Sequence, residues 1–284
     1  MTDAPAVAPR TLKFGDLTWT EAQELVAGNP VILLPIGVLE QHGPHLPLDE
    51  DNAVAEYVAL KVAERVNALV LPTLNYGHSP IFRDYCGTIS LRQDTLSRVV
   101  YDIISELFRH GFRRFVLINN NGGNLPATGE AAFRIRQDLG VTVAELYPWG
   151  LGYQLVRDQY ADPDAEYGHG GEPEMSAMMA MFPERIVTER IPEGGLQATA
   201  GGLHPANYTA FAVPGHKAAA TIFWQWSDVC PTGASGATGI GTPERGAVWV
   251  ERVVDFCSAA VEEFRAGTDH EAWAQPPVNP GASA

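Results

Sequence analysis

The 284-residue sequence predicts an α/β fold, with a mostly parallel central sheet covered by helices on both faces as a three-layer sandwich. Three observations carry that prediction. Short continuous apolar runs, suited to strands buried on both faces, alternate with longer stretches of helical spacing. Alternation at these lengths makes βαβ units, whose crossover helices force neighbouring strands to be parallel. Polar, glycine-rich segments follow the strands, where sheets of this kind build their sites.

The elements follow in order. Val31-Ile32-Leu33-Leu34-Pro35-Ile36-Gly37 reads as the first buried strand. Residues 53–67 switch to helical spacing, with Val54, Tyr57, Val58, Val62 and Val66 on one face, and Ala68 to Leu74 reads as a second strand. A helix follows Asp94 as N-cap, turns Leu96, Val100, Ile104 and Phe108 inward and ends at Gly111. Arg113 to Asn119 is a third strand, opening into the loop Asn119-Asn120-Asn121-Gly122-Gly123-Asn124 before a helix to about Leu139, and Val141 to Leu146 is a fourth strand. Residues 190–242 read as a glycine-rich loop, either a lid or subunit arm or a plain surface excursion. A last helix spans about Pro243 to Ala266. Residues 1–10 and 268–284 lack periodicity and read as poorly ordered tails, leaving 11–267 as a single domain.

Composition narrows the function. Asp and Glu outnumber Lys and Arg by 34 to 19, for a formal net charge of −15, so the average field repels phosphate backbones and argues against nucleic acid. Cys86, Cys230 and Cys257 show no CxxC spacing, which argues against a cysteine zinc site and fits a reducing cytoplasm. No apolar run approaches a membrane span and no signal pattern opens the chain, so a cytoplasmic protein without a membrane partner is expected. Phosphate-loop, dinucleotide and HExxH signatures are missing. Trp149, Trp224 and Trp226 could wall a pocket but read first as core.

The chemistry concentrates just after the first strand, between Gly37 and Asp51. Glu40, His42 and Asp51 offer oxygen and nitrogen donors of the kind that suit Zn(II), Mn(II) or Fe(II). Glu40 and His42 are two apart, so in an extended stretch they share a side, and Asp51 lies on the approach to the next helix. By spacing alone the same residues also read as turn and cap formers.

The run Glu40-Gln41-His42-Gly43-Pro44-His45-Leu46-Pro47 with Asp51 resembles the signature of the creatininase family. Further matches follow in the family's order: Gly87-Thr88-Ile89-Ser90-Leu91, Asn121-Gly122-Gly123-Asn124, His169-Gly170-Gly171-Glu172-Pro173-Glu174-Met175-Ser176, and Gly239 to Gly246. The resemblance spans about residues 12–265. It implies a metal-dependent amidohydrolase that cleaves a small cyclic or linear amide, such as a lactam or formamide, with a metal-activated water. It also implies metal ligands at Glu40, His42, Asp51 and Glu174, with Asp51 bridging two ions. His169 becomes the acid/base beside Glu174, and Asn121 and Asn124 become substrate contacts. Family members form closed homo-oligomers, hexamers among them, so an oligomer is expected.

One departure bears on the metal. The family loop reads Asn-Gly-His-Gly-Gly-Asn with its histidine a ligand, and Asn121 stands in that place here. An amide oxygen is a weaker donor than imidazole, so one or two ions per subunit are expected, the one beside Glu40 weak, absent or a harder metal such as Mn(II). His204 and His216 are the candidate replacements. Gly123 and Gly168 replace carboxylates of creatininase itself, which points away from creatinine as substrate. The alternatives are a mononuclear lactonase, lyase or isomerase on the same fold, and a non-catalytic assembly subunit. Retention of so many buried charges argues against the last.

Overall fold

The computed structural model describes residues 8–268, so the expected tails at 1–10 and 268–284 lie almost wholly outside the described residues. Strand β1 (Val31–Ile36) is central to a four-stranded sheet with β2 (Leu69–Val70), β3 (Arg114–Asn119) and β4 (Val143–Leu146), ordered β2-β1-β3-β4 and parallel throughout. Every residue of β1 and β3 is buried, as their continuous apolar runs require. The helices are α1 (Trp19–Val26), α2 (Glu50–Val66), α3 (Gln93–Arg109), α4 (Leu125–Leu139), α5 (Pro148–Leu155), α6 (Pro163–Glu166), α7 (Glu174–Met181) and α8 (Pro243–Thr268). Side chains alternate across β1: Val31 and Leu33 join the core made with α2, α7 and α8, while Ile32, Leu34 and Ile36 join the core made with α3 and α4. That alternation is the three-layer sandwich the sequence predicts, and each fully buried aliphatic side chain contributes about 1.5–3 kcal/mol to it.

Register positions the site. β1 and β3 pair from Val31↔Arg114 to Ile36↔Asn119, so the loops that begin at Gly37 and Asn120 leave the sheet side by side. No helix among the described residues is long and apolar enough to cross a membrane.

Several boundaries differ from the sequence reading. α2 begins at Glu50, so Asp51 sits in its first turn rather than on its approach. Arg92, not Asp94, is the N-cap of α3; Asp94 lies in the first turn, 3.6 Å from Arg98, as an acid favoured by the helix dipole. β2 is two residues long instead of seven because Pro72 has no N–H to give the ladder, and pairing resumes where Leu74 N–H donates to the Pro35 carbonyl at 2.9 Å. The 190–242 segment is not all loop. It carries a small antiparallel sheet of β5 (His204–Asn207), β6 (Ala210–Ala212) and β7 (Ala219–Thr221), near a third cluster of Phe82, Trp226, Val229 and Cys230.

Candidate metal centre

Four buried carboxylates surround one buried imidazole at the carboxyl end of β1. Glu40 and His42 come from the loop after that strand, Glu50 and Asp51 from the first turn of α2, and Glu174 from the first residue of α7. His42 Nδ1 lies 3.1 Å from the Glu40 carbonyl oxygen, so Nδ1 carries the proton and donates it. The Nε2 lone pair then faces Glu40 Oε1 at 3.9 Å and Asp51 Oδ1 at 3.8 Å, which are themselves acceptors. His169 Nε2 sits 3.8 Å from the same Glu40 oxygen and donates to the Gln41 carbonyl at 2.5 Å, while its ring stacks on Phe82 with centroids 4.3 Å apart. Glu174 accepts from the Tyr153 hydroxyl at 2.8 Å and from Gly170 N–H at 2.7 Å.

Asn121 closes the far side. Its Nδ2 donates to Glu40 Oε2 at 2.8 Å and to Asp51 Oδ2 at 3.0 Å, while its Oδ1 accepts from Gly123 N–H at 2.8 Å. The carboxylates therefore meet the amide's donor end, while the oxygen that could bind a metal faces the Gly123 N–H. A side chain at residue 123 would put its Cβ 2.2 Å from the His78 carbonyl oxygen, so the missing carboxylate there cannot be restored without moving that strand of backbone.

The donor set fits a divalent ion. The side chains of Glu40, Asp51 and Glu174 accept hydrogen bonds from neutral groups: Asn121, Trp149, Tyr153 and the Gly170 backbone. Burial is the first cause that pushes Asp51 up to about 7 and Glu174 up to about 8, and it drives Glu40 and Glu50 well above the usual carboxylate range, with neighbouring carboxylates adding to it. Burial likewise holds His42 well below its ordinary value and His169 down to about 4, so both rings are neutral, the form that ligates or accepts a proton. Groups of Glu40, His42 and His169, and of His42, Glu50 and Glu174, each bring three ligand atoms within 4.8 Å of one another.

Loading such a site must expel protons, because carboxylates bind metal deprotonated. Zinc titrations at pH 6–7 in buffers of differing ionisation enthalpy should show net proton release that shrinks above the pH of about 8 at which Glu174 titrates. A release that stays constant across that range would mean the carboxylates are already ionised. The same shifts set the stability of the ion-free fold. Raised carboxylates make it lose stability as pH climbs through about 7 and 8, and the depressed His169 makes it lose stability as pH falls from 6.5 to about 4.

The family model described as Creatininase, creatinine amidohydrolase, matches residues 15–261. The chain belongs to the creatininase family. It is 36% identical over 195 residues to creatinine amidohydrolase of Pseudomonas putida, covering 62% of this chain and 74% of that protein. It is 27% identical over 264 residues to the mycofactocin precursor peptide peptidase of Mycobacterium ulcerans (strain Agy99), covering 90% and 94%. A solved mutant creatininase of Zn–Zn type superposes with a TM-score of 0.69 at 30% identity, covering 90% of this chain and 99% of that one. This creatininase-family member is a metal-dependent amidohydrolase, a hydrolase of C–N bonds.

Within that family frame, Glu40, His42, Asp51, Asn121, His169 and Glu174 all line one cavity of about 590 Å³. Asn124 does not line it. Its amide donates to the Gly37 and Asn119 oxygens and its Oδ1 accepts from His78 N–H, so it ties three loops together behind the site instead of contacting substrate. His204 is exposed and bonds the Ala198 carbonyl, and His216 is exposed in the turn after β6, so neither replaces the missing ligand. His45 is held by the Gly170 carbonyl at 2.9 Å. Trp149 and Trp224 are more than core: Trp149 Nε1 donates to Asp51 Oδ1 at 2.9 Å, and both side chains line the cavity. Sequence reasoning missed Glu50, Tyr147, Tyr153 and Tyr208. Glu50 had a signal, since it precedes Val54, Val58 and Val62 by one, two and three turns on the buried stripe of α2.

Proposed function

We propose that this chain hydrolyses a small amide other than creatinine with one divalent ion held by Glu40, His42 and Asp51, and with Glu174 completing the site. The observation that carries the reading is Asn121, whose amide nitrogen bridges Glu40 and Asp51 at 2.8 and 3.0 Å, where the family's first ion would need a donor. Zinc or manganese suits this mixed oxygen and nitrogen set. When bound, the ion polarises the amide carbonyl and brings the pKa of a water toward 7.

The chain's own residues supply the rest. His169 is neutral at working pH and carries its proton on Nε2, so it starts as the base, accepting a proton from the attacking water at Nδ1. The new C–O bond forms, the C–N bond breaks, and His169 returns that proton to the departing nitrogen. Phe82, Tyr147, Tyr153, Tyr208 and Trp224 line the cavity with aromatic surface, which favours an amide carrying a planar or apolar group and excludes bulk water.

Turnover measured on a panel of lactams, formamides and short peptides, with metal analysis of the same preparations, tests the reading. About one ion per subunit with amide cleavage supports it, and cleavage confined to lactones would transfer the chain to the alternative chemistry. His169→Ala should lower turnover by roughly 100-fold or more with metal content unchanged. Equal loss of metal would make His169 a ligand.

A further inference from the structure

We infer that Glu50, which no motif singles out, is a positioning residue of the ion centre: its carboxylate reinforces the His42 Nδ1 proton that the Glu40 carbonyl accepts, and supplies negative charge behind the ion. The inference rests on the single-ion reading above. His42 is 2% exposed and meets acceptors on both edges of its ring. Nδ1 faces the Glu40 carbonyl at 3.1 Å and Glu50 Oε2 at 3.5 Å, while Nε2 faces carboxylate oxygens of Glu40 and Asp51 at 3.9 and 3.8 Å. One ring proton satisfies the Nδ1 edge. The other edge is open to a cation, or without one to a proton held on a neighbouring carboxyl, and the identity of the protonated edge decides where that cation binds.

Glu50 itself is 0% exposed, and neither of its carboxylate oxygens has a hydrogen-bond partner. It does not line the cavity, so it does not meet substrate. A buried carboxylate without a donor is costly unless a charge compensates it, and a metal one imidazole away is such a charge. Carboxylates behind a metal-bound histidine orient the ring and raise its basicity. Placement at the first residue of α2 makes one helical turn deliver both Asp51 to the ion and Glu50 to the histidine.

The test compares unaltered protein with Glu50→Gln, which keeps shape and removes charge, and Glu50→Asp, which keeps charge; Glu50→Met carries the same test if the amide variant does not fold. Three quantities are read on full-length protein: zinc affinity by competition titration, Tm of the ion-free form, and the visible spectrum of the Co(II)-loaded form. Glu50→Gln should weaken zinc binding about 10–100-fold, raise the ion-free Tm by about 2–4 °C, and keep the Co(II) spectrum, with Glu50→Asp recovering part of the affinity. A structural carboxylate would instead lower Tm together with affinity, which overturns the assignment. So does affinity unchanged within about threefold, or loss of the ion with an altered Co(II) spectrum, which would make Glu50 a ligand. An unaltered chain that binds no zinc, cobalt or manganese sinks the functional reading itself, and the wild-type titration alone reveals that.

Discussion

Asn121→His protein, dialysed against trace zinc, should retain about two ions per subunit where the unaltered chain retains about one. The asparagine presents Nδ2 to Glu40 and Asp51 and turns Oδ1 to Gly123 N–H, so it offers no ligand atom on the side where the two carboxylates meet. An imidazole at the same Cβ removes that bridging donor and adds a lone pair. Glu40 and Asp51, left without their amide donor, then have every reason to share a cation. Activity need not follow occupancy, because a reaction built around one ion, or around a substrate group bonded to the amide, can fail when the geometry changes. Two tightly held ions in the unaltered chain would defeat the idea that Asn121 fills a metal place. His204 and His216 could not then be invoked, since both are exposed and belong to the 190–242 segment.

His42→Ala should abolish turnover and weaken zinc binding by at least about 1,000-fold, equivalent to roughly 4 kcal/mol. The imidazole is the only group in the centre whose Nε2 faces both Glu40 and Asp51. Its loss leaves four carboxylates converging on an empty volume, a set that neutralises itself by taking up protons. His45 cannot substitute, being fully buried and bonded to the Gly170 carbonyl at 2.9 Å. Elemental analysis and an amide assay on the same sample check this. Metal content and turnover equal to those of the unaltered chain would mean that the ion binds elsewhere.

Much of the frame was legible because burial on both faces leaves a plain trace. Val31 to Ile36 and Arg114 to Asn119 are strands whose neighbours are almost all apolar, and α2, α3, α4 and α8 carry clear helical stripes. α1 carried its own capping box, Thr18 with Glu21, yet offers only Leu25 as a buried residue, so no stripe drew attention to it. α7 is apolar nearly all round, with Glu174 to Met178 all buried, and such a helix has no periodicity to detect. β5, β6 and β7 are three or four residues long and mostly exposed on the strand ends, so neither alternation nor a continuous run marks them. At the centre, Glu40, His42, Asp51, Asn121, His169 and Glu174 line one cavity, as their motifs led one to expect, but Asn124 does not, and the direction of the Asn121 amide was not legible. Which end of an amide faces a carboxylate depends on a backbone N–H two residues on, and only coordinates hold that information.

The cavity has two walls with different origins. Charge handling belongs to residues 37–51, 119–124 and 169–174, the first two seated on strand ends of the parallel sheet. Part of the shape belongs to the distant stretch that contributes Tyr208, Phe223 and Trp224, which packs near its own small cluster instead of the two main cores. Bond cleavage and recognition are thus written in separable parts of the chain. Substitutions at outer positions of this stretch, such as the exposed Phe223, can change which molecule is admitted, whereas Tyr208 and Trp226 pack edge-on to the His169 ring and stay tied to the machinery that cuts it. A fold divided in this way can diversify in what it accepts far faster than in how it reacts.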